Sequence, residues 1–222
     1  MEVLIVVATL PEIAPLLDHL STHWIESPTG TYTHGNCTVR TLITGIGMHR
    51  TAYALGKEFS KHHPDLCINA GIAGAFPGKA EIGEVLHVTS EILSDIGAES
   101  EDGVLVAPEA MGLLEDISSV DGLVNQNAAE YAFLRTARGV TVNTVHGTTA
   151  SISTIINRYD PDVETMEGGA FFYCCLKENI PFIEVRAISN IIEPRNKERW
   201  DIPLAIQRLN EQLIEIVSFF VE

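Results

Sequence analysis

Along this chain, short runs rich in Val and Ile take turns with longer stretches whose apolar residues recur every three or four positions. Strand-sized and helix-sized periods in alternation point to an α/β fold with a largely parallel or mixed sheet, because a parallel neighbour is reached through a crossover helix. The runs predict strands over 3–7, 38–43, 66–69, 84–90, 140–145 and 182–188. The final helix is the clearest: Ile206, Leu209, Leu213, Ile216, Val217 and Phe220 share one face, and Pro203 falls in the first turn, where a missing N–H is tolerated. Further helices are expected over 13–20, 50–62, 151–157 and 168–178.

No linker rich in Pro, Gly or Ser and no fixed-period repeat divides the 222 residues, so one domain over 1–222 is expected. Acidic residues number 30 against 14 basic ones, a formal charge of −16, which argues against nucleic-acid and anionic-membrane partners. The apolar residues 1–10 lack a basic flank, run into Pro11 and Glu12, and are too short for a membrane span, so they read as a first strand rather than a signal. The four cysteines form no C-x-x-C pair, and Cys67 and Cys174 lie in apolar runs, which fits reduced thiols and a cytoplasmic location. The eight histidines show no H-E-x-x-H or comparable spacing, so neither a metal nor a cofactor is expected.

Three Gly-marked turns follow predicted strands: Gly45-Ile46-Gly47, Gly71-Ile72-Ala73-Gly74 and Glu167-Gly168-Gly169. Ligands of open α/β sheets bind outside the carboxyl ends of the strands, so these turns mark a candidate rim, although each glycine serves equally well to tighten a turn. A dinucleotide fingerprint fails at Gly45, because Arg50 occupies the third glycine position. Glu12, Glu164 and Glu167 all stand near strand ends on that rim. Glu12 has a second reading as a first-turn residue complementing a helix dipole. Residues 95–122 are the least regular stretch and a candidate for a mobile loop beside a site.

Five motifs in order, Ala8-Thr9-Leu10-Pro11-Glu12, Thr44-Gly45-Ile46-Gly47, Asn69-Ala70-Gly71-Ile72-Ala73-Gly74, Glu164-Thr165-Met166-Glu167-Gly168 and Arg186-Ala187-Ile188-Ser189-Asn190, resemble the purine nucleoside phosphorylase and nucleosidase superfamily over nearly the whole chain. The resemblance is to the nucleosidase branch, which holds methylthioadenosine/adenosylhomocysteine nucleosidases and futalosine hydrolases. It implies a mixed, partly closed central sheet flanked by helices, a homo-oligomer (a dimer or larger), and a small purine nucleoside as partner. It further implies that Glu12 orients and deprotonates water, that Glu167 holds the ribose hydroxyls, that Met166 packs on the sugar, and that Ile72, Ala73 and Gly74, with Gly47, line the base and ribose pocket. A carboxylate on the ribose hydroxyls supports the positive charge of an oxocarbenium-like sugar.

The chain departs from the adenine-specific pattern at Asn190, where methylthioadenosine nucleosidases resemble Arg-Ala-Ile-Ser-Asp. Hypoxanthine offers N7 and a carbonyl oxygen, two acceptors that an asparagine NH₂ can face, so Asn190 favours a 6-oxopurine. Ser94-Asp95-Ile96-Gly97-Ala98-Glu99, together with Glu193-Pro194-Arg195 and Trp200, resembles futalosine hydrolases, which release hypoxanthine from futalosine in menaquinone biosynthesis. Arg195 is a candidate to answer the carboxylate on the futalosine tail, with His49 and Arg50 as other candidates, or else part of a solvated charged loop. No arginine occurs between Arg50 and Arg135, and a carboxylate at Glu12 repels phosphate, so hydrolysis is expected over phosphorolysis. The alternatives are an inosine or methylthioadenosine/adenosylhomocysteine nucleosidase, a purine nucleoside phosphorylase, or an inactive nucleoside-binding or storage protein.

Overall fold

The computed structural model describes residues 1–101, 105–113, 122–127 and 134–221. In chain order these form β1 (Glu2–Val7), α1 (Leu10–His23), β2 (Ile25–Glu26), β3 (Tyr32–His34), β4 (Cys37–Ile43), α2 (Met48–Phe59), β5 (Leu66–Ala75), β6 (Val85–Leu93), β7 (Ala98–Glu99), β8 (Leu105–Val106), β9 (Leu123–Val124), β10 (Thr136–Thr141), α3 (Thr149–Tyr159), β11 (Val163–Thr165), α4 (Gly168–Glu178), β12 (Phe182–Ile191) and α5 (Ile202–Phe219).

β4, β1, β5 and β12 lie side by side in parallel. β6 adds antiparallel to β12, and β10 and β11 follow in parallel. The far end of β5 then folds the sheet onto itself, with Gly74 and Ala75 pairing antiparallel with Glu164 and Val163 of β11. The sheet is mixed and partly closed, as the family resemblance implied.

Period two divides the strands between two cores. Val3, Ile5 and Val7 of β1, with Ile183, Val185 and Ala187 of β12, pack under α1 and α5. Leu4 and Val6 face the other way, toward Phe171, Phe172 and Cys175 of α4. The expected face of the last helix is the one buried: Leu209, Leu213 and Val217 are sealed from solvent, each contributing about 1.5–3 kcal/mol.

The described residues differ from the expected elements, or add to them, in four places. The residues 71–74 are not a turn; β5 runs straight through them, because β12 on one side and β11 on the other supply backbone partners. The strand expected over 140–145 begins at Thr136 and stops at Thr141, and β6 runs on to Leu93. β11 was not foreseen, since three residues are too few to show a period. The stretch 95–122 carries an antiparallel ribbon of β7 and β8 and a helical turn at Pro108–Met111; its residues 102–104 and 114–121 lie outside the described residues.

Candidate active site

Parallel strands in register deliver their carboxyl ends to one rim. Val7, Ile43 and Ala70 stand level there, and Thr44 and Gly45 donate their amides to the carbonyls of Val7 (2.9 Å) and Ala8 (3.0 Å), joining two of the loops. Glu12 rises from this rim in the first turn of α1. Its Oε2 accepts from the Thr9 amide at 2.9 Å and hydroxyl at 2.6 Å, while Oε1 turns inward to the Ile72 amide at 3.3 Å. One oxygen thus serves the helix end and the other lies against β5. The helix is anchored from behind. Pro15 removes one donor from α1, and the buried Asn210 of α5 bridges the next pair, its Oδ1 accepting from Leu16 N–H (2.9 Å) and its Nδ2 donating to the Glu12 carbonyl (2.8 Å).

Glu167, 8 % exposed, stands where β11 passes into α4. Its Oε1 accepts from the Gly47 amide at 2.8 Å, so the positive end of α2 faces this carboxylate. Gly47 holds φ at 98°, which L side chains rarely adopt. Burial raises the Glu167 pKa above the ordinary 4.5 and the charge of Glu12 adds to the rise, against the pull of Arg186 and of the Gly47 and Met166 amides. The Gly45–Ala8 hydrogen bond joins the loop whose Gly47 holds Glu167 to the loop whose Thr9 holds Glu12, which brings the two carboxylates to one region of the rim. Gly71 gives its scale: a Cβ there would lie 3.3 Å from Glu12 Oε1 and 2.1 Å from Arg186 Nη1, so only glycine lets the guanidinium pass.

Arg186 is 1 % exposed and belongs to a charged cluster that was not foreseen. It shares a face of β12 with Glu184, whose Oε1 accepts from its Nε at 2.7 Å. With its amide oxygen toward Arg186 Nη2 (2.7 Å) and its nitrogen toward the Val6 carbonyl (3.3 Å), Asn69 satisfies both. Behind them Glu91 accepts from the hydroxyls of Thr141 (2.7 Å) and Thr165 (3.0 Å). Glu184 Oε2 has no hydrogen-bond partner among the described residues. Burial pushes both pKa values up, and the charge of Glu184 adds to the rise at Glu91. Burial opposes the charge on Arg186, but Glu184, Glu167 and Glu91 outweigh it and hold the guanidinium ionised. The trace of this cluster in the sequence is a charge inside an apolar strand, in Ser90-Glu91-Ile92-Leu93 and Glu184-Val185-Arg186-Ala187.

Further along β5, Gly74 borders a second pocket, which Val145, His146, Glu164, Asn190, Arg195 and Trp200 also line. From Ile72 to Gly74 is two residues of strand, about 6–7 Å, a span comparable with that from a ribose to the far edge of its purine. Asn190 stands in β12 opposite Gly74. The Ser189 hydroxyl donates to its Oδ1 at 2.9 Å, which leaves the NH₂ group as the pocket's donor. Arg195 stacks over Trp200, 5.7 Å from the ring centroid.

The fold thus brings Glu12, Glu167, Gly47, Met166 and Ile72 to one end of residues 71–74, and Gly74, Asn190 and Arg195 to the other, with Ala73 between. Arg195 sits at the Asn190 end, while Arg50 lies against Gly45 and His49 against Gly47, at the carboxylate end. His146 was not singled out by the sequence; no motif surrounds it, and its place is set by Glu164, 18 residues away. The arrangement can hold a sugar between two carboxylates and a planar base beside an amide donor.

The phosphorylase superfamily model matches residues 2–222. A futalosine hydrolase of Acidothermus cellulolyticus is 32% identical, over 76% of this chain and 70% of that one. Another from Thermus thermophilus is 30% identical, over 76% of each. Among solved structures, the methylthioadenosine/adenosylhomocysteine nucleosidase of Helicobacter pylori superposes with a TM-score of 0.80 at 15% identity, over 99% of both chains.

Proposed function

The chain belongs to the phosphorylase superfamily, and from that premise we propose that it is a nucleosidase that hydrolyses futalosine to hypoxanthine and dehypoxanthinyl futalosine, a step toward menaquinone. The observation that carries this reading is the meeting of Glu12 and Glu167 at one end of residues 71–74, with an amide donor, Asn190, at the other.

Glu12 Oε1, the oxygen not committed to Thr9, takes a proton from water as the water oxygen bonds to C1′ of the ribose. The bond from C1′ to the purine breaks with its electron pair leaving on the base. Glu167 accepts hydrogen bonds from the ribose hydroxyls and supports the positive charge that develops on the sugar. The N–H of Asn190 not given to Ile191 faces the N7 and O6 edge of the departing hypoxanthine, which then takes up a proton. Arg186 is committed to Glu184 and sealed from solvent, so it keeps the carboxylates in place and offers no seat to phosphate.

Because the futalosine tail leaves the ribose at the end away from the base, the cation that answers its carboxylate in this reading is Arg50 or His49, and Arg195 serves the base pocket. A cytoplasmic homo-oligomer completes the proposal. Four free thiols and the strongly negative charge support the location; the exposed Ile43, Ile46 and Tyr53, at 48%, 52% and 74%, support self-association.

Incubation with futalosine, inosine and methylthioadenosine, with and without phosphate, tests the reaction. Free hypoxanthine without phosphate is expected, with futalosine the best substrate. A strict phosphate requirement makes the protein a phosphorylase, and no product at all makes it a binder.

A further inference from the structure

The pocket around Asn190 holds a second polar group placed to read the base. His146 follows β10 on a loop tied down by Asp95 Oδ2, which accepts from the backbone and side-chain nitrogens of Asn143 at 2.7 and 3.1 Å. Glu164, its side chain 3% exposed, grips His146 twice. Its Oε1 accepts from the His146 amide at 3.1 Å, and its Oε2 accepts from the ring at Nδ1. A carboxylate accepts only, so Nδ1 carries the proton, and in the neutral ring the opposite nitrogen, Nε2, presents a lone pair.

Asn190 is fixed in the complementary sense. Ser189 occupies its oxygen, and one of its two N–H bonds goes to the Ile191 carbonyl at 3.3 Å, leaving the other for a ligand. One pocket therefore combines an amide donor with an imidazole acceptor. The edge of a 6-oxopurine from N7 through O6 to N1–H runs acceptor, acceptor, donor. A 6-aminopurine has a donor in the middle and a lone pair at N1, which would face the lone pair of Nε2.

We propose that His146, oriented by Glu164, accepts the N1–H of a 6-oxopurine and, with Asn190, sets the base specificity of this site. His146 is then a specificity-determining residue and Glu164 its positioning residue. The inference rests on the nucleosidase reading for its ligand, but its test does not depend on turnover.

Calorimetric titration of the whole protein with free hypoxanthine, 1-methylhypoxanthine and adenine is the experiment. The unaltered protein is expected to bind hypoxanthine about 10- to 100-fold more tightly than 1-methylhypoxanthine, the range for one buried polar group left unpaired. His146→Ala should lose the same factor for hypoxanthine and nothing for the methylated base. His146→Gln, whose carbonyl can take the N1–H bond, should recover part of it. Equal loss for both bases in His146→Ala, no preference in the unaltered protein, or no binding of any base overturns the inference. Bases that bind as expected to a protein that hydrolyses no 6-oxopurine nucleoside overturn the nucleosidase reading alone.

Discussion

The two ends of residues 71–74 hold their polar groups by opposite means. At the Glu12–Glu167 end the groups are charged and buried, with a lone guanidinium offsetting Glu184, Glu167 and Glu91. At the Asn190 end the reading groups are amides, hydroxyls and an imidazole on a carboxylate, bonded in relays that fix which atom donates. In the proposed reaction the difference suits the work of each end. Stabilising a cationic sugar needs negative charge already in place, and desolvation makes that charge act strongly at a cost in stability. Choosing a base needs only the right order of donors and acceptors, and the carboxylate at that end, Glu164, holds His146 in place.

Removing the guanidinium tests that contrast most severely. Arg186→Met should cost about 3–5 kcal/mol of folding stability, since it leaves buried carboxylates unpaired, whereas Asn190→Ala should cost about 1 kcal/mol or less. The Arg186→Met deficit should shrink on acidification from about pH 8 to about pH 5, as the raised carboxyl groups take up protons. Urea unfolding at several pH values measures both, and similar deficits for the two variants would erase the distinction.

Glu167→Gln comes next. It should lower kcat by about 10²–10³-fold while leaving the fold as stable as before or more so. The sign follows from the raised pKa: the folded state binds more protons than the unfolded one, so stability falls as pH climbs from the ordinary 4.5 through the folded value, and the amide removes that loss. For the same reason the activity of the unaltered enzyme should fail on its acid side at a pH above 4.5, as Glu167 takes up its proton. A pH profile of kcat/KM with no acid limb there would contradict the role of ionised Glu167.

Asn190→Asp should act on choice rather than rate, moving the ratio of hypoxanthine to adenine nucleoside cleavage by about 10- to 100-fold toward adenine. Competition between inosine and methylthioadenosine reads this directly. The smallest effect concerns the tail. Arg50→Ala should raise KM for futalosine a few-fold more than for inosine, and Arg195→Ala should change both alike; the reverse pattern would return the tail to Arg195.

Glu12, Glu167 and Asn190 could be singled out as candidates because each lies in a local motif next to a strand end, and the last helix could be placed because its apolar residues keep one spacing throughout. Arg186 stood inside one of those motifs, yet its role was hidden, since Glu91, one of the acids that act on it, reaches it only by the packing of β6 against β12. His146 was hidden for the same reason: its carboxylate partner is reached only once the loop after β10 meets β11. The turn expected over 71–74 failed because glycines read locally as breaks. Here their missing side chains make room for Arg186 at one end, and for Asn190 and Ile192 at the other.

The order of residues alone determined the α/β class, the face of α5 that is buried, and the types of group at the candidate site, because periodicity and short motifs are properties of neighbours in the chain. Tertiary structure decided that β5 runs on to close the sheet against β11, that one guanidinium serves buried acids on two strands, and that Arg195 lies at the Asn190 end. Each of these depends on groups far apart in sequence meeting where water is excluded, and there the cost of an unpaired charge or donor, rather than local propensity, sets the arrangement.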